Sequence, residues 1–267
     1  MPKFSDIYDE RYRGAYREHL CGYEIARWEA LEHFIMRVLP ISDARMVLDY
    51  GAGSGLHVGL WEKVFPESML HFCDISPVAK EKFAAKFPQR ADSYHLVRKN
   101  RTDFADKSFD VIASVEVMEH VEDLAAYVQD VHRLLEPGGW FLWTTPCGNR
   151  YSIEHIYSFL AMKIEATAEG YRRWQWEDPS HLRRLKSREI KAVLNDSGFD
   201  EVIFRFRSHV FSFTCTYCPF LSFACTHFPT RGIANYLRNK LLALDYDLFR
   251  RLPNGASMLG AARRVSA

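Results

Sequence analysis

The chain has 267 residues, 48% of them hydrophobic and 26% charged, which excludes disordered, collagen-like and coiled-coil sequences and is enough to build a sizeable core. Lys and Arg number 35 against 34 Asp and Glu, a formal charge of +1, so no overall field argues for nucleic acid as a partner and recognition has to be local. MPKFSDIYDERYRG carries charges where a signal peptide needs an apolar core, which reads as a cytoplasmic protein, and 6 cysteines are too few for a disulfide framework.

Leu20, Tyr23, Arg27, Leu31, Phe34 and Val38 predict one long amphipathic helix lying across the ligand edge of the sheet that follows. From Arg45 to Trp143 short β-rich runs alternate with helical patterns, the mark of a parallel sheet with crossover helices. The expected strands are Met46 to Tyr50, Leu70 to Cys73, Tyr94 to Val97, Phe109 to Ser114 and Trp140 to Thr144. Between them fall a helix through Val58, Leu60, Trp61 and Val64 and another capped by Ser76 with Pro77 in its first turn. A third, carrying Leu124, Tyr127, Val128, Val131 and Leu135, stops at Pro137-Gly138-Gly139. Beyond the aromatic stretch Tyr151 to Asp178, Ser187 is a candidate cap for a helix ended by Gly198. Strands follow at Val202 to Phe206 and Met258 to Val265, with helical spacing from Asn235 to Phe249 between them.

The segment with most chemical content is Asp49-Tyr50-Gly51-Ala52-Gly53-Ser54-Gly55, directly after a strand and before a helix. Glycines at such a turn allow positive φ and close approach of a ligand to the backbone, while the next helix offers amides at its positive end. The spacing is G-x-G-x-G, and Leu56 stands where a dinucleotide fingerprint has its third glycine. Asp74, just past the second strand, can accept both hydroxyls of a ribose. Loop and acid together indicate an adenosine-type ligand without a pyrophosphate.

VLDYGAGSG, HFCDIS, KSFDVIASVEVMEHVED and LLEPGGWFLWTTP resemble, in order and spacing, the class I S-adenosylmethionine-dependent methyltransferases, particularly the polyprenyl-benzoate and ubiquinone-biosynthesis type. LKSREIKAVLNDSGFDEV and GASMLGAARR fit the same family's closing helix and last strands. The resemblance implies an α/β, Rossmann-like seven-stranded sheet, mostly parallel with an antiparallel last strand and helices on both faces. It divides the chain into a helical cap at 1–44 and a methyltransferase domain at 45–267, with substrate-side inserts at 151–180 and 209–255. It places Asp49, Gly51, Ala52, Gly53 and Gly55 around the methionine part of S-adenosylmethionine, Asp74 and Ile75 at the ribose, Asn100 or Arg101 at the adenine, and Glu116 beneath the sulfonium. Many relatives have an acid at the adenine contact, where this chain offers Lys99-Asn100-Arg101.

Methyl transfer to a hydroxyl needs an aligned acceptor and something to take its proton. Glu116, Glu119 and His120 share a face if Glu116-Val117-Met118-Glu119-His120 is helical, and His181 is available from Asp178-Pro179-Ser180-His181. His120 and His181 are the catalytic candidates. This ExxEH pattern is similar to a metal site in polyprenyl-benzoate O-methyltransferases and small-RNA terminal ribose methyltransferases, and also to metal-free relatives in which the histidine faces the acceptor. No metal ligand is assigned, and a divalent metal stays open. The favoured reading is O-methylation of a small, partly apolar biosynthetic intermediate. The alternatives are 2′-O-methylation of an RNA 3′ end and a non-catalytic nucleoside-binding module.

Arg183, Arg184, Lys186, Arg188 and Lys191 lie beside Glu177, Asp178 and Glu189 and read as a solvated charged face. Tyr157, Phe159, Tyr171, Trp174 and Trp176 can wall an aromatic or hydrophobic acceptor. The run His209 to Thr230 has no Asp, Glu, Lys or Arg. Its aromatic part, 211–228, is expected to pack on the body or a second protomer, to cover a lipophilic acceptor, or to touch a membrane transiently. Cys215-Thr216-Tyr217-Cys218 lacks the second pair a zinc site needs. The expected partners are a small-molecule acceptor, a second copy in a homodimer and, through 211–228, a membrane surface.

Overall fold

The apolar runs after residue 45 form strands because their side chains are buried on both sides. The computed structural model describes residues 4–14, 22–41, 43–98, 101–166, 172–175, 177–211 and 233–266. Met46–Tyr50 (β1), Met69–Asp74 (β2), Tyr94–Leu96 (β3), Phe109–Val115 (β4), Leu135–Pro146 (β5), Phe199–Arg207 (β8) and Ser257–Arg264 (β9) make a seven-stranded sheet in the order β3-β2-β1-β4-β5-β9-β8. β1 to β5 run parallel, and β9 pairs antiparallel with both β5 and β8. Ile164–Ala166 (β6) and Arg172–Trp174 (β7) form a separate antiparallel pair.

The helices are Phe4–Arg13 (α1), Gly22–Val38 (α2), Val58–Val64 (α3), Pro77–Lys86 (α4), Leu124–Leu134 (α5), Ile153–Leu160 (α6), Ser187–Asp196 (α7) and Ile233–Phe249 (α8). On one face of the sheet Val47, Phe72, Val111 and Leu142 share a core with Leu31 and Phe34 of α2 and Trp61 of α3. On the other, Leu48, Ile112 and Phe141 meet Tyr127 and Val131 of α5 and Ile190 and Leu194 of α7. Helices on both faces are what a parallel sheet requires, and each large apolar side chain so buried contributes about 1.5–3 kcal/mol.

The expected seven-stranded sheet with its antiparallel last strand is present; three local readings change. The expected N-terminal helix forms as α2, but it reaches the ligand edge through Arg27 on Glu116 rather than lying across it. α2 packs its Leu31 and Phe34 into the sheet layer, and a separate helix, α1, covers the ligand edge. Leu20 and the Tyr23 side chain lie outside the described residues. Ser187 is the first residue of α7 rather than its cap: Lys186 precedes it, its amide donating to Glu189 Oε2 at 3.0 Å, while the Ser187 amide donates to Asn149 Oδ1 at 3.1 Å. β5 begins at Leu135, so Pro137-Gly138-Gly139 is an irregular strand start with Gly138 at φ +81°, not a connecting turn.

Candidate active site

The carboxyl ends of β1 and β4 flank the point where strand order reverses, the place where sheets of this kind open a ligand crevice. Gly51, Gly53 and Gly55 there have φ of +91°, +54° and +84°. A Cβ on Gly51 would lie 2.3 Å from Val117 Cγ2, and one on Gly53 would lie 2.3 Å from the Tyr12 hydroxyl oxygen. The Gly51 and Ala52 amides donate to Cys73 O at 2.8 and 3.0 Å, which pins the loop to β2.

Asp49 is buried and accepts from Trp61 Nε1 at 2.8 Å, whereas its Oδ1 has no partner. Burial, opposed by the Trp61 hydrogen bond and reinforced by Asp74, pushes this carboxyl up to about 7. Asp74 accepts from the Gly53 amide at 2.9 Å and the Ser76 amide at 3.0 Å, one on each oxygen. Burial raises its pKa while these amides oppose the rise. The amides fix the carboxylate and leave each oxygen further acceptor capacity. Ile75 is half-buried beside it. Across β3, Lys80, His95, Leu96, Arg98, Arg101, Thr102 and Asp103 line a pocket of about 410 Å³; this is where Arg101 stands, and Asn100 lies outside the described residues. An unpartnered buried carboxylate oxygen beside a glycine loop, with an amide-held carboxylate opposite, suits the ammonium and ribose ends of an adenosyl ligand.

Glu116 leaves β4 in the left-handed region, at φ +57°. The following Met118-Glu119-His120 is a turn, so the helical face expected over 116–120 does not form. Glu116 instead accepts from Thr144 Oγ1 at 2.9 Å and pairs with the buried Arg27 of α2 at 3.2 Å. Glu119, His120 and His181 do come together. Each is buried, with ligand atoms all within 4.8 Å of one another. Glu119 Oε2 accepts from Thr145 Oγ1 at 3.0 Å, and its partnerless Oε1 lies 3.8 Å from His120 Nε2 and 4.0 Å from His181 Nε2. Burial, Glu116's charge and the opposing charge of His181 set the Glu119 carboxyl at about 7. Burial lowers His181, but Glu177, Glu119 and Glu116 outweigh it and raise the imidazole. At 3.9 Å the Glu177 contact is an ion pair rather than a hydrogen bond. One carboxylate and two imidazoles are also a donor set suited to a divalent transition metal.

A helix not expected from the sequence, α1, lies against the site. Its Tyr8, Arg11 and Tyr12 share a helix face. Tyr8 meets the His120 ring edge-on at 5.7 Å and lies 3.3 Å from Ser180 Oγ. Arg11 pairs with Asp178 and donates to Ser180 Oγ at 3.0 Å. Asp9 accepts from Ser76 Oγ at 2.5 Å. The tyrosine and arginine spacing was the available signal.

The basic cluster is also corrected. Arg183 is buried and donates to the Val121 and Glu122 carbonyls, while Arg184 pairs with Glu177 and Glu154 and stacks on Trp174 at 4.7 Å. Neither belongs to a solvated face. Of the expected acceptor walls, Trp174 is buried under Arg184 and Phe159 is 69% exposed. Tyr171, Trp176 and nearly all of 211–228, including Cys215 and Cys218, lie outside the described residues.

Sheet order and crevice together define a nucleoside-binding, doubly wound α/β protein. A family model described as a methyltransferase domain matches residues 21–202, and the chain belongs to that family, the class I S-adenosylmethionine-dependent methyltransferases. It is similar to the ubiquinone/menaquinone biosynthesis C-methyltransferase of Desulfotalea psychrophila, 25% identical over 113 residues, 42% of this chain and 45% of that protein. It is also similar to a Mycolicibacterium smegmatis protein named as a probable S-adenosylmethionine-dependent methyltransferase, 30% identical over 156 residues, 58% and 52% of the two chains. The chain thus spans about half the length of the curated relatives it matches. In fold it resembles Haemonchus contortus phosphoethanolamine N-methyltransferase 2, solved with phosphomonomethylethanolamine and S-adenosylhomocysteine, with TM-score 0.65, 15% identity and coverage of 100% and 61%. A Haloferax volcanii chain solved with a methyltransferase activator gives TM-score 0.62, 20% identity and 97% coverage of both.

Proposed function

We propose that the chain methylates a hydroxyl oxygen of a small, partly apolar acceptor, and that His120 and His181 handle the acceptor's proton. The carrying observation is the buried Glu119, His120 and His181 cluster close to Glu116, just past the carboxyl end of β4. S-adenosylmethionine, when bound, supplies a methyl group already activated by the sulfonium charge. The chain's own residues then bind, align, exclude water and receive a proton. Asp49 holds the ammonium, Asp74 the ribose, Arg101 stands on the adenine side, and Glu116, fixed by Arg27 and Thr144, borders the reacting end. His120 Nδ1 lies 3.1 Å from both the carbonyl oxygen and Oγ of Ser180; in the tautomer that donates to the carbonyl, Nε2 is the basic nitrogen, facing Glu119. As the acceptor oxygen bonds to carbon, its proton passes to an imidazole, and the Glu119 carboxylate stabilises the imidazolium. Tyr8 and Tyr12 supply an aromatic wall from α1.

The test is isotope transfer from labelled S-adenosylmethionine to a panel of hydroxylated and amine acceptors, with products identified by mass spectrometry. His120→Ala and His181→Ala should each lower turnover by about 100-fold or more, while calorimetry finds affinity for S-adenosylhomocysteine nearly unchanged. N- or C-methylated products, or full activity in both variants, refute the proposal. Absence of any transfer favours the nucleoside-binding module.

A second reading rests on the partnerless Glu119 Oε1 between two imidazoles. A divalent cation held there would orient the acceptor oxygen, and ribose methylation of an RNA end would need it. Activity indifferent to chelators, with no salt-sensitive RNA affinity, removes that reading.

A further inference from the structure

The helix α6 is turned inside out. Ser158 is buried, His155 packs edge-on against Trp174 at 5.3 Å, and Glu154 reaches Arg184 at 3.0 Å. Ile156, Phe159 and Leu160, spaced i, i+3 and i+4 on the opposite side, are 45%, 69% and 74% exposed. Tyr151 before the helix is 72% exposed and Met162 after it 86%. A helix on a globular protein normally turns its apolar stripe inward. Single exposed leucines need no explanation, but a continuous apolar face opposite a polar buried one does.

The charges are sorted in the same sense. Arg150, just before α6, and Lys163, just after it, are exposed, while the segment's acids turn away, Glu154 to Arg184 and Glu165 to Arg173. The patch continues past α6. Asn149 Nδ2 donates to Pro253 O at 2.8 Å, joining the start of α6 to the loop after α8, where Leu252 is 49% and the nearby Leu248 59% exposed. His209 Nε2, at the head of the charge-free run, lies 3.0 Å from Leu252 O.

We propose that this corner, centred on Phe159 and Leu160, is a docking surface for an anionic lipid bilayer. Apolar side chains between two outward cations match acyl chains beneath anionic headgroups. A second copy fits less well, because packing α6 on its twin in either direction sets Arg150 and Lys163 against like charges. Among the described residues no helix is long and apolar enough to cross a membrane, so the contact is peripheral. This surface is independent of the methyl acceptor's identity.

The experiment is flotation of the full chain with vesicles of phosphatidylcholine alone and of phosphatidylcholine mixed with phosphatidylglycerol. Wild-type protein should float with the mixed vesicles, and less so at raised salt. Phe159→Ser/Leu160→Ser should lower that partition by about tenfold or more with S-adenosylhomocysteine affinity unchanged, and Arg150→Glu/Lys163→Glu should abolish the preference for phosphatidylglycerol. Three results would overturn the proposal: no flotation, equal flotation of the apolar variant, or a dimer by light scattering that the apolar substitutions dissociate. Strong amide-exchange protection of 153–160 without lipid, unchanged in the apolar variant, would mean that another segment covers the face and would overturn it too.

Discussion

The glycine loop can be tested by placing one methyl group in it. In Gly51→Ala the new Cβ must sit at φ +91° and 2.3 Å from Val117 Cγ2. The left-handed backbone costs an L-residue about 1–2 kcal/mol. Val117 is β-branched and restricted at χ1, so relieving the overlap costs about 1–3 kcal/mol. Gly51→Ala should therefore lower the unfolding free energy by about 2–5 kcal/mol. Val117→Ala alone deletes two methyl groups and should cost about 1–3 kcal/mol. The double variant keeps the backbone strain but loses the overlap. Its destabilisation should thus fall short of the sum of the singles by about 1–3 kcal/mol. Urea unfolding followed by tryptophan fluorescence, with m-values held constant, reads all three differences. Additivity within about 0.5 kcal/mol would show that Val117 does not bear on the loop, and the placement of Glu116 and Val117 over it would be wrong.

The buried carboxyls predict a pH dependence. With Asp49 raised to about 7, the folded, cofactor-free chain binds a proton that the unfolded chain has released above the ordinary carboxylate range. Stability therefore falls as pH rises from there through about 7. Asp49→Asn keeps an acceptor for Trp61 and should flatten this slope in urea midpoints across the same window; an unaltered slope contradicts the assignment. Arg27→Ala strands the buried Glu116 charge and should cost about 3–5 kcal/mol in unfolding, part of it recovered by adding Glu116→Gln. Full stability in the single variant would show that the pair is not formed. Asp74→Ala should weaken S-adenosylhomocysteine binding by about 1.5–3 kcal/mol, the worth of hydrogen bonds to a charged group, and unchanged calorimetric affinity would displace the ribose from Asp74.

The sheet was readable because its strands are buried on both faces and end at turn chemistry. Met46 to Tyr50 is nearly all apolar and runs straight into glycines, and Ser76 with Pro77 marks the start of α4, where Ser76 Oγ accepts from the Ala79 amide at 3.1 Å. α1 had no such mark. Ile7, Tyr8 and Tyr12 do share one side by their spacing, but five of its ten residues are charged, and it is held by Asp9 on Ser76 and Arg11 on Asp178, contacts 67 and 167 residues apart. Ten residues give too short a periodic pattern to stand out beside charges whose partners lie so far away in sequence. The arginine cluster misled for a related reason. Acids beside it in sequence looked like solvent screening, whereas Glu177 and Glu154 neutralise Arg184 where burial would otherwise forbid the charge.

In the site, contiguous motifs were legible and convergent ones only partly so. Gly51 to Gly55 stood out as closely spaced glycines, and the positive φ at all three shows why that turn uses them, with Asp74 held against it by the Gly53 amide. Glu119, His120 and His181 were named as candidates, yet the face expected to unite Glu116 with them does not exist, since a left-handed residue at the end of β4 sends Glu116 to Arg27. What replaces that face is α1. Within two turns it reaches the cofactor side, through Tyr12 over Gly53 and Asp9 on Ser76, and the acceptor side, through Tyr8 on His120 and Arg11 on Asp178. The Tyr12 hydroxyl fills the place that a Cβ on Gly53 would take. One short helix thus touches both the glycine loop and the segment that carries Ser180 and His181.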